Sequence, residues 1–156
     1  MRSKITYLLY SLLACAILGG VAWMVLVSPE NPLVTPFRAH IENSGSQVIS
    51  GPYPLRTDFP VLKGLGVKTV VSLLDPRIPY EAKLLEQERE LAREYDMRLL
   101  NFPLINVMGH KMRADYEQTA RAAADAVTKS EGKVYLHCYL GLHRVRSVRD
   151  LLEAQG

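Results

Sequence analysis

A cysteine followed six positions later by an arginine is the part of this sequence best suited to chemistry. His137 and Cys138 follow an apolar run at 134–136, Arg144 closes the stretch, and Gly141 lies midway. An ordinary thiol is mostly protonated at neutral pH and is a poor nucleophile, whereas the free backbone N–H groups of a loop that opens a helix favour an anion. The pattern therefore predicts a loop in which a thiolate and a phosphate share one anion-binding site. We call residues 138–144 the Cys–Arg loop.

Each part of the Cys–Arg loop has a predicted role. Cys138 is the predicted nucleophile, and the planar guanidinium of Arg144 is expected to hold two phosphate oxygens in a fork. Gly141 suits a sharp bend with backbone close to a ligand. The alternative, an inert buried cysteine at a strand end, leaves His137, Gly141 and Arg144 unexplained. The amides expected to surround the phosphate belong to Tyr139, Leu140, Gly141, Leu142, His143 and Arg144.

Apolar runs that alternate with helical patterns predict the fold that positions this loop. The alternation favours an α/β architecture with a central, mostly parallel sheet of four to five strands flanked by helices. In the helix expected at 79–95, apolar residues share one face and acid–base pairs occupy the rest. The other expected elements are strands at 47–50, 67–74, 98–104 and 134–138, a short helix from Thr57 or Asp58 to Leu65, and helices at 114–129 and 142–154.

An uncharged run of 23 residues at 5–27 predicts a membrane anchor. As a helix it is about 34 Å long, enough to cross a bilayer. Arg2 and Lys4 precede it and Glu30 is the first charge after it, so residues 1–4 are expected in the cytoplasm and the rest outside. This predicts a single-pass inner-membrane protein with a periplasmic domain. Cleavage as a signal peptide, or before Cys15 as a lipoprotein, is disfavoured by the length of the run and by the apolar stretch it would leave.

The remaining chain divides into a predicted tether at 28–46, rich in proline, and a domain at 47–156. After Ser28 there are 17 basic and 16 acidic residues, which is close to neutral. A nucleic-acid partner is therefore not expected, although the isoelectric point of the whole chain is near 8.9. Cys138 is the only cysteine of this part, which excludes a disulfide framework.

The Cys–Arg loop and two further motifs resemble the bacterial dual-specificity and tyrosine type of cysteine-dependent phosphatases. Ser-Gly-Pro-Tyr-Pro at 50–54, continued by Leu-Lys-Gly-Leu-Gly-Val-Lys-Thr-Val-Val-Ser-Leu-Leu at 62–74, is similar to their front half. Asn-Phe-Pro-Leu at 101–104 resembles the strand before their general-acid loop. The likeness spans about 47–149, and only the Cys–Arg loop is diagnostic.

The resemblance implies hydrolysis of phosphotyrosine or other phosphate monoesters through a cysteinyl-phosphate, with no metal and no cofactor. His137 is then either a residue that orients the loop by a hydrogen bond or a satisfied core histidine. Because the loop contains no lysine, a phosphorylated protein or a small aryl phosphate is favoured over a polyphosphorylated lipid head group.

The general acid of that family has no counterpart at its usual place. The family carries an Asp about thirty residues before the cysteine, and here that position falls on or near Asn106, which cannot protonate a leaving group. His110, Asp75 and Asp115 are candidate substitutes. Each also has a plainer interpretation: an exposed histidine, a turn residue before Pro76, and an acid favoured by a helix dipole.

Two further departures concern the end of the chain. Val145 replaces the Ser or Thr whose hydroxyl helps the sulfur leave, and Ser147 is expected on a different helix face, so a slow second step is predicted. The sequence ends twelve residues after Arg144, where family members continue, which suggests a trimmed fold or a fragment and an apolar surface left exposed on the last helix.

Three functions are compatible with these residues. The favoured one is a membrane-anchored, extracytoplasmic phosphatase of low activity. The second is a pseudophosphatase that binds phosphorylated partners without turnover, suggested by Asn106 and Val145. The third is a relative of sulfurtransferases or arsenate reductases, disfavoured because their loops differ in position or spacing.

Overall fold

The computed structural model of the chain describes residues 2–43, 47–107, 110–111 and 114–155. Helices and strands alternate after a long amino-terminal helix. A 3₁₀ turn, Thr35–Phe37, lies between that helix and the first strand. In order, the elements are α1 (Arg2–Val27), β1 (Glu42–Asn43), β2 (Val48–Gly51), α2 (Asp58–Gly64), β3 (Val67–Ser72), α3 (Pro79–Glu94), β4 (Arg98–Asn101), β5 (Asn106–Val107), β6 (His110–Lys111), α4 (Tyr116–Thr128), β7 (Lys133–His137) and α5 (His143–Glu153).

The predicted α/β fold is confirmed. Five strands form one sheet in the order β1-β2-β7-β3-β4, in which β2, β7, β3 and β4 are parallel and β1 is antiparallel to β2. The central strand, β7, is bordered by β2 and β3, so that His137 is level with Gly51 on one side and Ser72 on the other. The Cys–Arg loop therefore leaves the carboxyl end of the sheet at its centre.

Helices cover both faces of this sheet. The cluster of buried residues on one face joins Val71 and Leu136 to α4 and α5, and the cluster on the other joins Val70 and Tyr135 to α2 and α3. The inward residues predicted for α4 are buried as expected: Tyr116, Ala120, Ala123, Ala124 and Val127.

Two acidic residues of α3 contradict the predicted surface of that helix. Glu81 and Glu88 are fully buried on the same face as Leu84 and Leu91, although the pattern placed acids only outside the apolar face. Burial of a carboxylate requires hydrogen bonds or a cation, and both residues have such partners in the candidate site.

The segment predicted as a tether lies against the domain. Val34 is buried, and the guanidinium of Arg38 donates hydrogen bonds to the carbonyls of Pro29 (2.9 Å) and Tyr53 (2.7 Å). Ahead of it, the 24 residues Lys4–Val27 have a mean hydropathy of 2.1 and form the one helix in the described part of the chain that is long and apolar enough to span a membrane.

Candidate active site

The Cys–Arg loop connects β7 to α5. Cys138 directly follows the last residue of β7 and is 3% exposed, in contact with the apolar cluster that contains Val145. Arg144 is the second residue of α5, and its side chain is 12% exposed. A short strand and the helix that follows therefore carry the predicted thiol and guanidinium at the two ends of one loop.

The loop turns its first carbonyl oxygens toward the rest of the protein. The Tyr139 oxygen accepts a hydrogen bond from the Tyr53 amide (3.2 Å), and the Leu140 oxygen accepts one from the Ala39 amide (2.8 Å). No group in the described part of the chain accepts a hydrogen bond from the amides of the four residues Tyr139, Leu140, Gly141 and Leu142. Those donors are available for an anion ahead of α5, where the helix dipole also favours negative charge.

Gly141 is required by both conformation and space. Its φ is +76°, and a Cβ atom there would lie 2.5 Å from the Gly51 carbonyl carbon and 2.5 Å from the Pro52 nitrogen. Gly51 is confined in turn, since a Cβ on it would lie 2.5 Å from the Tyr135 hydroxyl. The Ser-Gly-Pro motif at 50–52 thus supports the Cys–Arg loop by close backbone contact.

Arg144 is held by four hydrogen bonds. Its Nη1 donates to the carbonyl oxygens of Leu73 (3.0 Å) and Leu104 (3.0 Å) and to Glu81 Oε2 (2.9 Å), while Nη2 donates to Glu81 Oε1 (2.6 Å). Burial alone would lower the pKa of Arg144, but the hydrogen bonds and charge of Glu81, with a smaller effect from Cys138, raise it above the ordinary arginine value. The guanidinium is therefore a fixed positive charge.

These bonds leave one edge of the guanidinium uncommitted. The Nε–H group and the second hydrogen of Nη2 have no acceptor among the residues that the structure describes. These two parallel donors form the fork that matches two oxygens of a phosphate. Arg144 can thus bind an anion without releasing Glu81.

His137 is a buried histidine with a carboxylate partner. Its Nε2 is hydrogen-bonded to Glu88 Oε1, its ring stacks on Tyr135 (centroids 5.6 Å apart) and it meets the edge of Tyr53. Within the described residues, His137 Nδ1, Glu88 Oε2 and the Ser72 hydroxyl have no hydrogen-bond partner. His137 and Glu88 together fix the end of β7 just before Cys138.

Asp75, a candidate acid, is engaged by Arg77. Its Oδ1 accepts hydrogen bonds from the backbone N–H and from Nε of Arg77 (2.9 Å each), and Nη2 binds the other oxygen. The pKa of Arg77 is raised, chiefly by this hydrogen bond to Asp75, with a smaller effect from the charge of Asp115. Asp75 is buried, and both of its carboxylate oxygens are bound by Arg77.

Asn106 and His110 lie in a two-stranded hairpin that was not predicted. In this hairpin Asn106 pairs with Lys111 and Val107 with His110. The hairpin follows Leu104, whose carbonyl binds Arg144, so the backbone of this segment begins at the site. The side chains of Asn106 and His110 lie outside the described residues, and their predicted roles stay predictions.

The residue after Arg144 is Val145, which has no hydroxyl and is buried in the apolar cluster. The Ser147 hydroxyl donates to the His143 carbonyl (3.2 Å) and accepts a hydrogen bond from the Tyr116 hydroxyl (3.1 Å). Ser147 thus binds its own helix and α4.

The ring of Tyr80, in the first turn of α3, packs against Tyr139 of the Cys–Arg loop. Their rings meet edge to face with centroids 5.3 Å apart. Burial, followed by the charge of Glu81, raises the pKa of Tyr80 to about 12, so its phenol stays neutral at physiological pH.

Glu81 and Glu88 are the site residues that sequence reasoning missed. A signal was present, since positions 81, 84, 88 and 91 follow the spacing of one helix face and two of them are acidic. An acid within an otherwise apolar helix face predicts a buried cationic or hydrogen-bonding partner.

No protein-family description matches the chain, and no curated protein matches it. Among solved structures it is similar to a putative phosphatase (DUF442) from Shewanella putrefaciens, with a TM-score of 0.59 and 21% identity over 76% of this chain and 69% of that one. It is also similar to a putative phosphatase from Neisseria meningitidis, with a TM-score of 0.57 and 16% identity over 74% and 78%.

These two likenesses identify the fold as phosphatase-like. A third structure, P. aeruginosa TpbA in complex with pTyr, aligns with a TM-score of 0.46 and 20% identity over 65% of this chain and 54% of that one.

Proposed function

We propose that this protein is a phosphatase that hydrolyses aryl phosphate monoesters, phosphotyrosine above all, through a cysteinyl-phosphate intermediate. One observation carries the proposal: Cys138 opens a loop with free amides, and Arg144, fixed by Glu81, keeps a free two-donor edge at its other end. Such an arrangement suits a tetrahedral dianion and the charge that develops on its oxygens during transfer.

In the first step the Cys138 sulfur attacks phosphorus, and the bond to the leaving oxygen breaks. Loop amides and the Arg144 fork hold the three other oxygens. With Asn106 near the position of the acid and Asp75 paired with Arg77, protonation of the leaving group is poorly supported. An aryl oxygen leaves readily without a proton, whereas an alkyl oxygen does not, which favours aryl substrates.

In the second step water attacks the phosphocysteine and the thiolate leaves. Val145 supplies no hydroxyl to assist that departure, and Ser147 is bonded elsewhere. The intermediate is therefore expected to hydrolyse slowly, which gives low overall turnover.

The proposal is tested by Cys138→Ser in the full chain with nitrophenyl phosphate. Turnover should be lost while vanadate or phosphate still binds, since amides and Arg144 remain. Wild-type rates for Cys138→Ser would remove Cys138 from the chemistry.

A pseudophosphatase that binds phosphorylated partners is the second candidate. The observation that favours it is Val145, buried where a hydroxyl would assist release of the phosphate. Phosphotyrosine binding with no turnover by the wild-type chain, on any aryl ester, would establish it.

We also propose that α1 anchors the domain on the periplasmic side of the inner membrane. Arg2 and Lys4, which precede the uncharged run at 5–27 within α1, support this orientation. A carboxy-terminal alkaline phosphatase fusion should be active and a fluorescent cytoplasmic reporter dark. The reverse pattern would invert the topology.

A further inference from the structure

The last turn of α1 packs against the Cys–Arg loop. The hydroxyl of Tyr139 donates a hydrogen bond of 2.9 Å to the Leu26 carbonyl oxygen. The final carbonyls of a helix have no partner within it, so Tyr139 satisfies one of them. Val25 and Leu26 also pack on the buried cluster that contains Tyr139. One tyrosine side chain therefore links the end of a membrane-length helix to the loop.

The segment after α1 holds this arrangement rather than loosening it. Arg38 binds the carbonyls of Pro29 and Tyr53, Val34 is buried in the same cluster as Tyr139, and the Ala39 amide binds the Leu140 carbonyl. If residues 28–46 were a flexible linker, the distance between α1 and the domain would vary by roughly 20 Å. These contacts instead hold the domain at a fixed distance from the end of α1.

The length of α1 places the Cys–Arg loop close to the membrane surface. Lys4–Val27 is about 36 Å long, slightly more than a hydrocarbon core of about 30 Å, so Val27 reaches the polar boundary. Tyr7 and Trp23 are exposed near opposite ends of α1, where membrane helices concentrate such residues.

We propose that the substrates are phosphotyrosine residues of membrane-anchored proteins, located within a few residues of the bilayer. This inference rests on the proposed function and on the proposed anchor. A site and a substrate confined to one surface meet at an effective concentration far above that in bulk solution. A Cys–Arg loop without lysine, and a segment from Ile105 to Lys111 without a carboxylate, favour an aryl phosphate over the alkyl phosphate of a lipid.

The test uses the full chain in liposomes, with insertion checked by flotation. One phosphotyrosine peptide is attached to a lipid through flexible spacers of about 5, 10, 20 or 40 residues and compared with the same peptide free in solution. A further arm offers phosphatidic acid as the only phosphomonoester. We expect a rate on the short-spacer peptides about 10²-fold above the free peptide, falling several-fold with the longest spacer.

A matched pair of variants tests the origin of the spacer preference. A flexible insertion of about 20 residues between Ser28 and Pro29 should move the optimum to longer spacers, relative to each variant's own rate on nitrophenyl phosphate. The same insertion at the carboxyl terminus should leave the optimum unchanged. An optimum that does not move with the first insertion would overturn the inference.

The other outcomes are equally decisive. Equal rates on tethered and free peptide would overturn the inference, and so would failure of the protein to insert into the liposomes. In both cases, hydrolysis of nitrophenyl phosphate would still support the proposed function. Preference for phosphatidic acid overturns the protein substrate. If nitrophenyl phosphate is not hydrolysed, binding of the spacer series to Cys138→Ser decides: a short-spacer preference supports the inference, and no preference overturns it.

Discussion

Glu81 grips Arg144 with both carboxylate oxygens, at 2.6 Å for Oε1–Nη2 and 2.9 Å for Oε2–Nη1. The same Oε2 accepts the Asp75 backbone N–H at 2.6 Å. A single buried side chain near the start of α3 thus joins the end of β3 to the first turn of α5. The orientation of the two free N–H donors of Arg144 depends on its contact with Glu81.

Replacing Glu81 should therefore damage both activity and stability. Glu81→Gln turns one acceptor into a donor facing the guanidinium, so kcat/KM on nitrophenyl phosphate should fall about 10²-fold through misplacement of Arg144. An uncompensated buried charge should lower the free energy of unfolding by about 3–5 kcal/mol, measured by urea denaturation. The exposed Glu86→Gln on the same helix is the control, and a folded Glu81→Gln with normal kinetics would show that Arg144 positions itself.

Arg144→Lys keeps the charge but loses the planar fork. One ammonium group cannot bind Glu81 and two phosphate oxygens together, so kcat/KM should drop by about 10²-fold or more. The exposed Arg146→Lys, two positions along α5, should be nearly silent. Comparable kinetics for the two variants would assign Arg144 a purely structural role.

Gly141→Ala should distort the backbone of the Cys–Arg loop. The new Cβ would clash with Gly51 and Pro52 backbone atoms at 2.5 Å, in a conformation that already costs a non-glycine residue about 1–3 kcal/mol. Vanadate binding should be lost and the thermal midpoint lowered. Gly64→Ala, where a Cβ meets nothing within 4 Å, is the control. Retained vanadate affinity in Gly141→Ala would mean that the loop does not surround the anion.

The proposed loss of the general acid predicts that the rate depends strongly on the leaving group. The wild-type chain should act on nitrophenyl phosphate and be nearly inert towards phosphoserine-like alkyl esters. Asn106→Asp should raise the rate on poor leaving groups towards about 10²-fold. Asp75→Asn and His110→Ala test replacement acids. No gain from Asn106→Asp, together with a large loss from one of the other two, would name that residue as the acid.

Local patterns predicted the sheet, the helices and the Cys–Arg loop, because strand periodicity, helix periodicity and loop spacing can each be recognised within a short segment of sequence. The inward residues of α4, such as Ala120 and Ala124, illustrate this. The burial of Glu81 and Glu88 was missed because it depends on partners that are distant in sequence. The fold brings Arg144 to Glu81 and His137 to Glu88. The packing of residues 28–43 was missed for the same reason: proline-rich sequence predicts a linker, and only tertiary contacts such as Arg38 with Tyr53 fix it to the domain.

The central claim, that phosphate passes through Cys138, is tested most directly by trapping the intermediate. Wild-type protein is mixed with nitrophenyl phosphate, quenched in acid within the first turnover and digested for mass spectrometry. Because no hydroxyl follows Arg144, hydrolysis of the intermediate should be slow, and the peptide that contains Cys138 should carry one phosphoryl group at close to stoichiometric yield. Turnover that continues while this peptide stays unmodified would contradict the account.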